Sequence, residues 1–153
     1  MTEQLPCFRS LALREIPRPD YADVCLAALP AGAGTDPAEW AKRLFSVESM
    51  PPWIAGAMRL RQVLVPLLGI PKAPRDTFTV SEQSGEEALI FIRDRHLDCA
   101  IAVGVDPVSR IIRVTTAVEL KGWRGRLYFG VVRPVHPMVV DSMLKRHTRP
   151  PRR

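Results

Sequence analysis

The chain has 153 residues, 46% hydrophobic and 25% charged, which suits one globular domain with a real core and excludes wholesale disorder. A formal net charge of +6 and a pI near 9.8 would suggest nucleic acid, but the excess is local. Lys145, Arg146, Arg149, Arg152 and Arg153 lie in the last nine residues, which hold no acid, and without them 17 bases face 16 acids.

The basic excess is therefore a tail rather than a face of the fold. Nucleic acid is expected only as a non-specific contact of that tail, which lacks aromatic side chains to stack bases. Cys7, Cys25 and Cys99 are odd in number, far apart and without CxxC spacing, which implies a reducing compartment and no disulfide framework. Residues 1–16 show no long apolar core, and the apolar run Leu127–Val132 is far short of a membrane span. A cytoplasmic protein is expected.

Residues 1–19, punctuated by Pro6, Pro17 and Pro19, read as an N-terminal arm or a short edge strand. Tyr21–Leu29 is a strand, closed by Pro30 and a loop holding Gly32 and Gly34. Those glycines do not make a dinucleotide site: Pro37 occupies the third glycine position, and no βαβ repeat follows. A helix starts at Asp36, which can N-cap, with Pro37 in the first turn and Glu39 at capping-box spacing. Trp40, Ala41, Leu44 and Phe45 give it an apolar face. A second helix carries Trp53, Ala57, Leu60, Leu64 and Leu68, kinked at Pro66 and stopped at Gly69.

The period then changes to that of strands: Thr77–Ser81, Glu86–Arg93, His96–Val105 and Arg110–Leu120. A turn at residues 106–109 would set Val105 opposite Arg110. Leu97 would then face Val118, Cys99 Thr116, Ile101 Val114 and Val103 Ile112, making one face almost wholly apolar. The other face would pair His96 with Glu119, Asp98 with Ala117, Ala100 with Thr115 and Ala102 with Arg113. The nearest cover for the apolar face is a long closing helix, Trp123–Arg146. Its Trp123–Val132 half is expected to be gripped by the sheet, and Arg133–Pro137 to be a break where Pro134 and Pro137 remove backbone donors.

The fold class is therefore α+β: a curved antiparallel sheet wrapped around a long C-terminal helix, with two short helices after the first strand. The expected division is an arm at 1–19, a single domain at 20–147 and a basic tail at 148–153.

The segments Asp94-Arg-His-Leu-Asp98, Gly125-Arg-Leu-Tyr128 and Arg133-Pro-Val-His136, with Pro52-Trp53, resemble an uncharacterised bacterial domain-of-unknown-function family. That domain occurs alone or behind a nucleotide-binding, epimerase-like domain. The family in turn resembles the START-like helix-grip superfamily, SRPBCC, which includes polyketide cyclases and carriers of hydrophobic ligands. The resemblance implies a helix-grip fold, and seven strands where five are read here. The other two would come from Phe8–Ile16 and residues 70–81. The family supplies no accepted catalytic residues.

The candidate sites follow from spacing. His96 and Asp98 point the same way on a strand, with Glu119 beside His96, as a general-base group, a weak metal site or a surface cluster. Arg133 and His136 flank the helix break, where they could hold a carboxylate or hydroxyl of a ligand. Trp53, Trp123 and Tyr128 read as core or pocket lining. There is no G-x-S-x-G elbow, H-E-x-x-H or Walker loop, and the three histidines lack zinc-site spacing, so neither cofactor nor metal is expected. The leading expectation is a module binding a small hydrophobic molecule. The alternative is an interaction domain, such as a homodimer, using the outer face of the 86–120 strands, where Leu89 and Phe91 could meet a packed helix or a second subunit.

Overall fold

The computed structural model describes residues 8–46, 52 and 78–149. In chain order the elements are α1 (Leu11–Glu15), β1 (Tyr21–Ala28), α2 (Pro37–Leu44), β2 (Val80–Ser84), β3 (Glu87–Arg93), β4 (Leu97–Asp106), β5 (Ile111–Leu120), α3 (Gly122–Val132) and α4 (His136–Thr148). The strands form one five-stranded antiparallel sheet in the order β1-β5-β4-β3-β2. This is the expected α+β, helix-grip-like layout. The second of the two expected short helices lies outside the described residues.

The inner face of the sheet carries Ala88 and Ile90 of β3, Ile101, Val103 and Val105 of β4, and Ile112 and Val114 of β5. Helix α2 covers it with Trp40, Ala41 and Leu44, and α4 with Val140, Met143 and Leu144. Asp36 caps α2 as its spacing implied, accepting from the Ala38 N–H at 3.0 Å, and Trp40 Nε1 donates to the Gly34 carbonyl at 2.7 Å. Among the described residues no helix is long and apolar enough to cross a membrane.

The β4–β5 register differs from expectation by two residues. Asp106 pairs with Ile111 and Leu97 with Leu120, because Arg110 joins the turn instead of the strand. Arg110 takes a left-handed φ of 54°, and its guanidinium donates to the Leu29 carbonyl at 3.2 Å. The Asp106 carboxylate draws the Val108 and Ser109 N–H groups into the loop, at 2.9 and 3.0 Å. A shift of two keeps every side chain on its expected face, since strand periodicity is two. The division into faces stands while the individual partners change.

Among its described residues, the N-terminal arm is not an edge strand and adds none to the sheet. Residues Leu11–Glu15 form α1, whose N-cap Ser10 accepts from the Ala12 N–H, and Pro17 follows its end. The helix packs on the outer face, where Ala12 and Ile16 meet Leu89, Ala100, Ala102 and Ala117. The alanines leave room for it. Gly104 has a related role: it lies between Glu87 and Arg113 on the neighbouring strands. A Cβ there would press on Arg113 Nε and Cγ at 2.9 and 3.0 Å. Its absence lets Arg113 reach across β4 to the buried Glu87 at 2.8 Å, while the other Glu87 oxygen takes the Leu11 N–H at 2.6 Å. An exposed Arg14–Glu82 pair ties the far side of α1 to β2.

The closing helix is split as expected, but the gripped half is the opposite one. Helix α4 packs on the inner face, whereas α3 buries only Gly125 and Phe129. At the junction Arg133–Val135 the Val135 N–H turns back to the Val132 carbonyl at 3.0 Å, and Pro137 falls in the first turn of α4.

Candidate functional site at the helix junction

Strand β1 alternates between half-buried and exposed residues against the apparent hydrophobic logic of its sequence. Val24 and Leu26 are 44% and 61% exposed, while Tyr21, Asp23 and Cys25 face inward. An acid is thus turned toward the core side of a strand that could have presented valine and leucine there. Local rules are broken in this way mainly where a site needs it.

Asp23 pairs with Thr116 of β5, so the two make a polar island in the apolar inner face. The α3–α4 junction roofs this island. His136 brings Nε2 to 3.2 Å from Thr116 Oγ1 and 3.7 Å from Asp23 Oδ2. The Tyr21 hydroxyl donates to the same Asp23 oxygen at 2.6 Å. Phe129 of α3 meets the Tyr21 ring edge-on with centroids 5.1 Å apart, and the His136 ring lies 6.1 Å from it. The exposed Arg133 guanidinium stands 5.8 Å over the Tyr21 ring at the rim. Asp23 Oδ1 is buried and has no hydrogen-bond partner among the described residues, which costs free energy unless a donor is supplied.

The electrostatics follow from this packing. Burial lowers the pKa of His136 below its ordinary value, and the nearby Asp23 carboxylate opposes that shift without reversing it. The imidazole is therefore neutral at pH 7, able to accept or donate one hydrogen bond. Burial raises the Tyr21 pKa well above the usual phenol range, reinforced by its bond to Asp23, so the phenol stays a donor. Cys25 and Cys99 are free thiols. Burial raises them to about 11 and about 12, with Asp23 adding to both shifts, so neither is a reactive thiolate.

The other candidates lie elsewhere. His96 sits in the β3–β4 turn, and Glu119 is opposite Asp98 rather than His96. Asp98 is held by Lys121 Nζ at 2.6 Å, so the expected His96–Asp98–Glu119 group is replaced by a lysine–aspartate pair. His96 instead supplies its carbonyl to the Lys121 N–H at 2.7 Å. Trp123, expected as pocket lining, is 67% exposed on α3. Tyr128 is half-buried on the same helix, and Trp53 lies outside the described residues.

The apolar space bounded by Leu44, Phe45, Val114, Val140, Met143 and Leu144 has no room for a water molecule, so this part of the interior is packed rather than hollow. Among the described residues no three His, Cys, Asp or Glu side chains are grouped to hold a metal ion.

Of the candidates, the structure brings Arg133 and His136 together, and it adds Tyr21, Asp23 and Thr116. The available signal for Asp23 was its i, i+2 spacing from Tyr21 and Cys25. Hydrophobicity argued for the opposite face. Searches of curated proteins and of solved structures give no match. A family model described as "Protein of unknown function (DUF2867)" matches residues 16–143, and the chain belongs to that family.

Proposed function

We propose that the domain is a small-molecule-binding module of START-like type, with its seat at the polar island under the α3–α4 junction. The observation that carries this reading is Asp23: an inward carboxylate with one oxygen held by Tyr21 and the other buried without a partner. A ligand hydroxyl or amine would satisfy that oxygen, and Arg133 at the rim suits a ligand carboxylate. The half-buried Tyr21 ring offers aromatic surface to a hydrophobic body. The neutral His136 could also take a proton from such a ligand, so polyketide-cyclase-like turnover is the stronger form of the proposal. A reducing, cytoplasmic setting belongs to it as well, supported by the free thiols in β1 and β4.

A thermal-shift screen with lipids, polyketides and aromatic hydroxy acids tests the reading. It expects a stabilising compound whose effect is lost in Asp23→Asn and reduced in Arg133→Ala. A hit whose stabilisation survives both substitutions, or a screen with no hit, would overturn it.

Association through the outer face is the second reading. It has less support, because α1 of the same chain already covers Leu89, Ala100, Ala102 and Ala117. Light scattering of Phe91→Asp against the unaltered chain decides it: a dimer that this change dissolves would favour association.

A further inference from the structure

Helix α3 is apolar on two opposite sides. Gly125 and Phe129 face the domain, while Trp123, Leu127 and Val131, four residues apart, are 67%, 53% and 71% exposed. Positions i, i+4 and i+8 share one face of a helix, so these three form a stripe about 12 Å long at ~1.5 Å per residue. Val135 and Met138, both exposed, continue the spacing beyond the junction. Arg124 and Arg126 flank the stripe, with Arg124 over the Trp123 ring at 5.3 Å. From Lys121 to Val140 the chain has four Lys or Arg residues and no Asp or Glu.

We propose that α3 is a foot that seats the domain on an anionic lipid surface, with Trp123, Leu127 and Val131 entering the headgroup boundary and Arg124 and Arg126 meeting lipid phosphates. A contiguous line of solvent-facing apolar residues is the kind of surface that marks an interaction site. A second copy of the chain fits poorly, since two arginine-rimmed stripes would repel. A protein partner usually covers about 800 Å² per side, more than a one-residue-wide stripe offers. The solvent side of α3 carries the two features by which an interfacial helix meets a bilayer, an apolar line with tryptophan and basic residues along its flanks.

The test is flotation of the full chain with vesicles of phosphatidylcholine, with and without phosphatidylglycerol. The expected result is binding to the anionic vesicles alone, weakened by salt. Trp123→Ser with Leu127→Ser should reduce partitioning at least about tenfold, given the ordinary worth of burying such side chains. Arg124→Gln with Arg126→Gln, which leaves the apolar stripe intact, should give a similar loss. All four side chains are exposed, and circular dichroism melts confirm that the variants fold. Absence of binding to anionic vesicles would overturn the proposal. So would binding that ignores both double variants but disappears when Lys145, Arg146, Arg149, Arg152 and Arg153 become glutamine, since the tail would then account for it. Trp123-dependent binding to polyglutamate, without vesicle binding, would assign the stripe to an acidic protein and likewise overturn the lipid assignment.

Discussion

Helix α4 sinks Val140, Met143 and Leu144 into the inner face of the sheet, whereas α3 leaves Trp123, Leu127 and Val131 in solvent and buries little beyond Gly125 and Phe129. The two are adjacent in sequence and separated only by the Arg133–Val135 junction. Their difference shows that apolar content does not decide which helix closes a sheet; the path of the chain does. Strand β5 ends at Leu120, and α3 follows after one residue, which holds it at the end of the sheet. There Gly125 lies directly on the His96 carbonyl of the β3–β4 turn, and Phe129 rests on Tyr21 at the start of β1. Only after the turn at Pro134 does the chain cross the apolar face. The junction then becomes the roof over Asp23 and Thr116, so the candidate site owes its position to the geometry that leaves α3 exposed.

Substitutions in the two helices should reproduce the contrast. Leu144→Ala removes a fully buried side chain of α4 and should lower unfolding free energy by about 3 kcal/mol, read by urea denaturation. A loss below about 1 kcal/mol would mean that α4 is not the gripped helix. Gly125→Ala should lose about 2 kcal/mol despite the better helix propensity of alanine, because its Cβ would fall on the His96 carbonyl and the helix would have to lift away.

The junction should also respond to pH. The unfolded chain binds a proton to His136 near pH 6.5, whereas the folded chain resists it, because burial lowers the folded pKa. Stability from this group is therefore complete above about pH 6.5 and falls as the pH drops through the window below it, with a limiting slope of about 1.4 kcal/mol per pH unit. His136→Gln should flatten that part of the profile between pH 7.5 and 5, and an unchanged slope would show that the imidazole is not buried. The smallest effect belongs to Leu127→Ala on α3, expected within about 0.5 kcal/mol of the unaltered chain in the same denaturation assay. A large loss there would mean that the stripe is packed against something in the isolated protein.

Much of the frame was legible from local chemistry. Asp36, Pro37 and Glu39 marked the start of α2, because capping is settled within one turn. The alternation of Leu97–Val105 with Ile112–Val118 divided the sheet into faces, and that division survived a register error of two. The error itself came from Arg110, whose left-handed φ nothing in an arginine announces. The prolines at 134 and 137 located the helix junction, because a missing N–H is a property of the residue alone. The helical state of Leu11–Glu15 was not legible, since much of its support comes from the distant Glu87 and from the alanines under it.

The site divides along the same line. His136 and Arg133 could be singled out because they adjoin a break visible in the sequence. Asp23 and Tyr21 could not, because burying an acid beside a histidine is decided by two strands and a helix junction meeting, not by the strand's own pattern. Sequence by itself thus determined α2, the strands, their faces and the position of the helix break, all of which depend on residues within a turn or a strand of one another. The tertiary structure alone decided which half of the closing helix is gripped, what covers the outer face and where Asp23 points, because each depends on contacts between segments far apart in the chain.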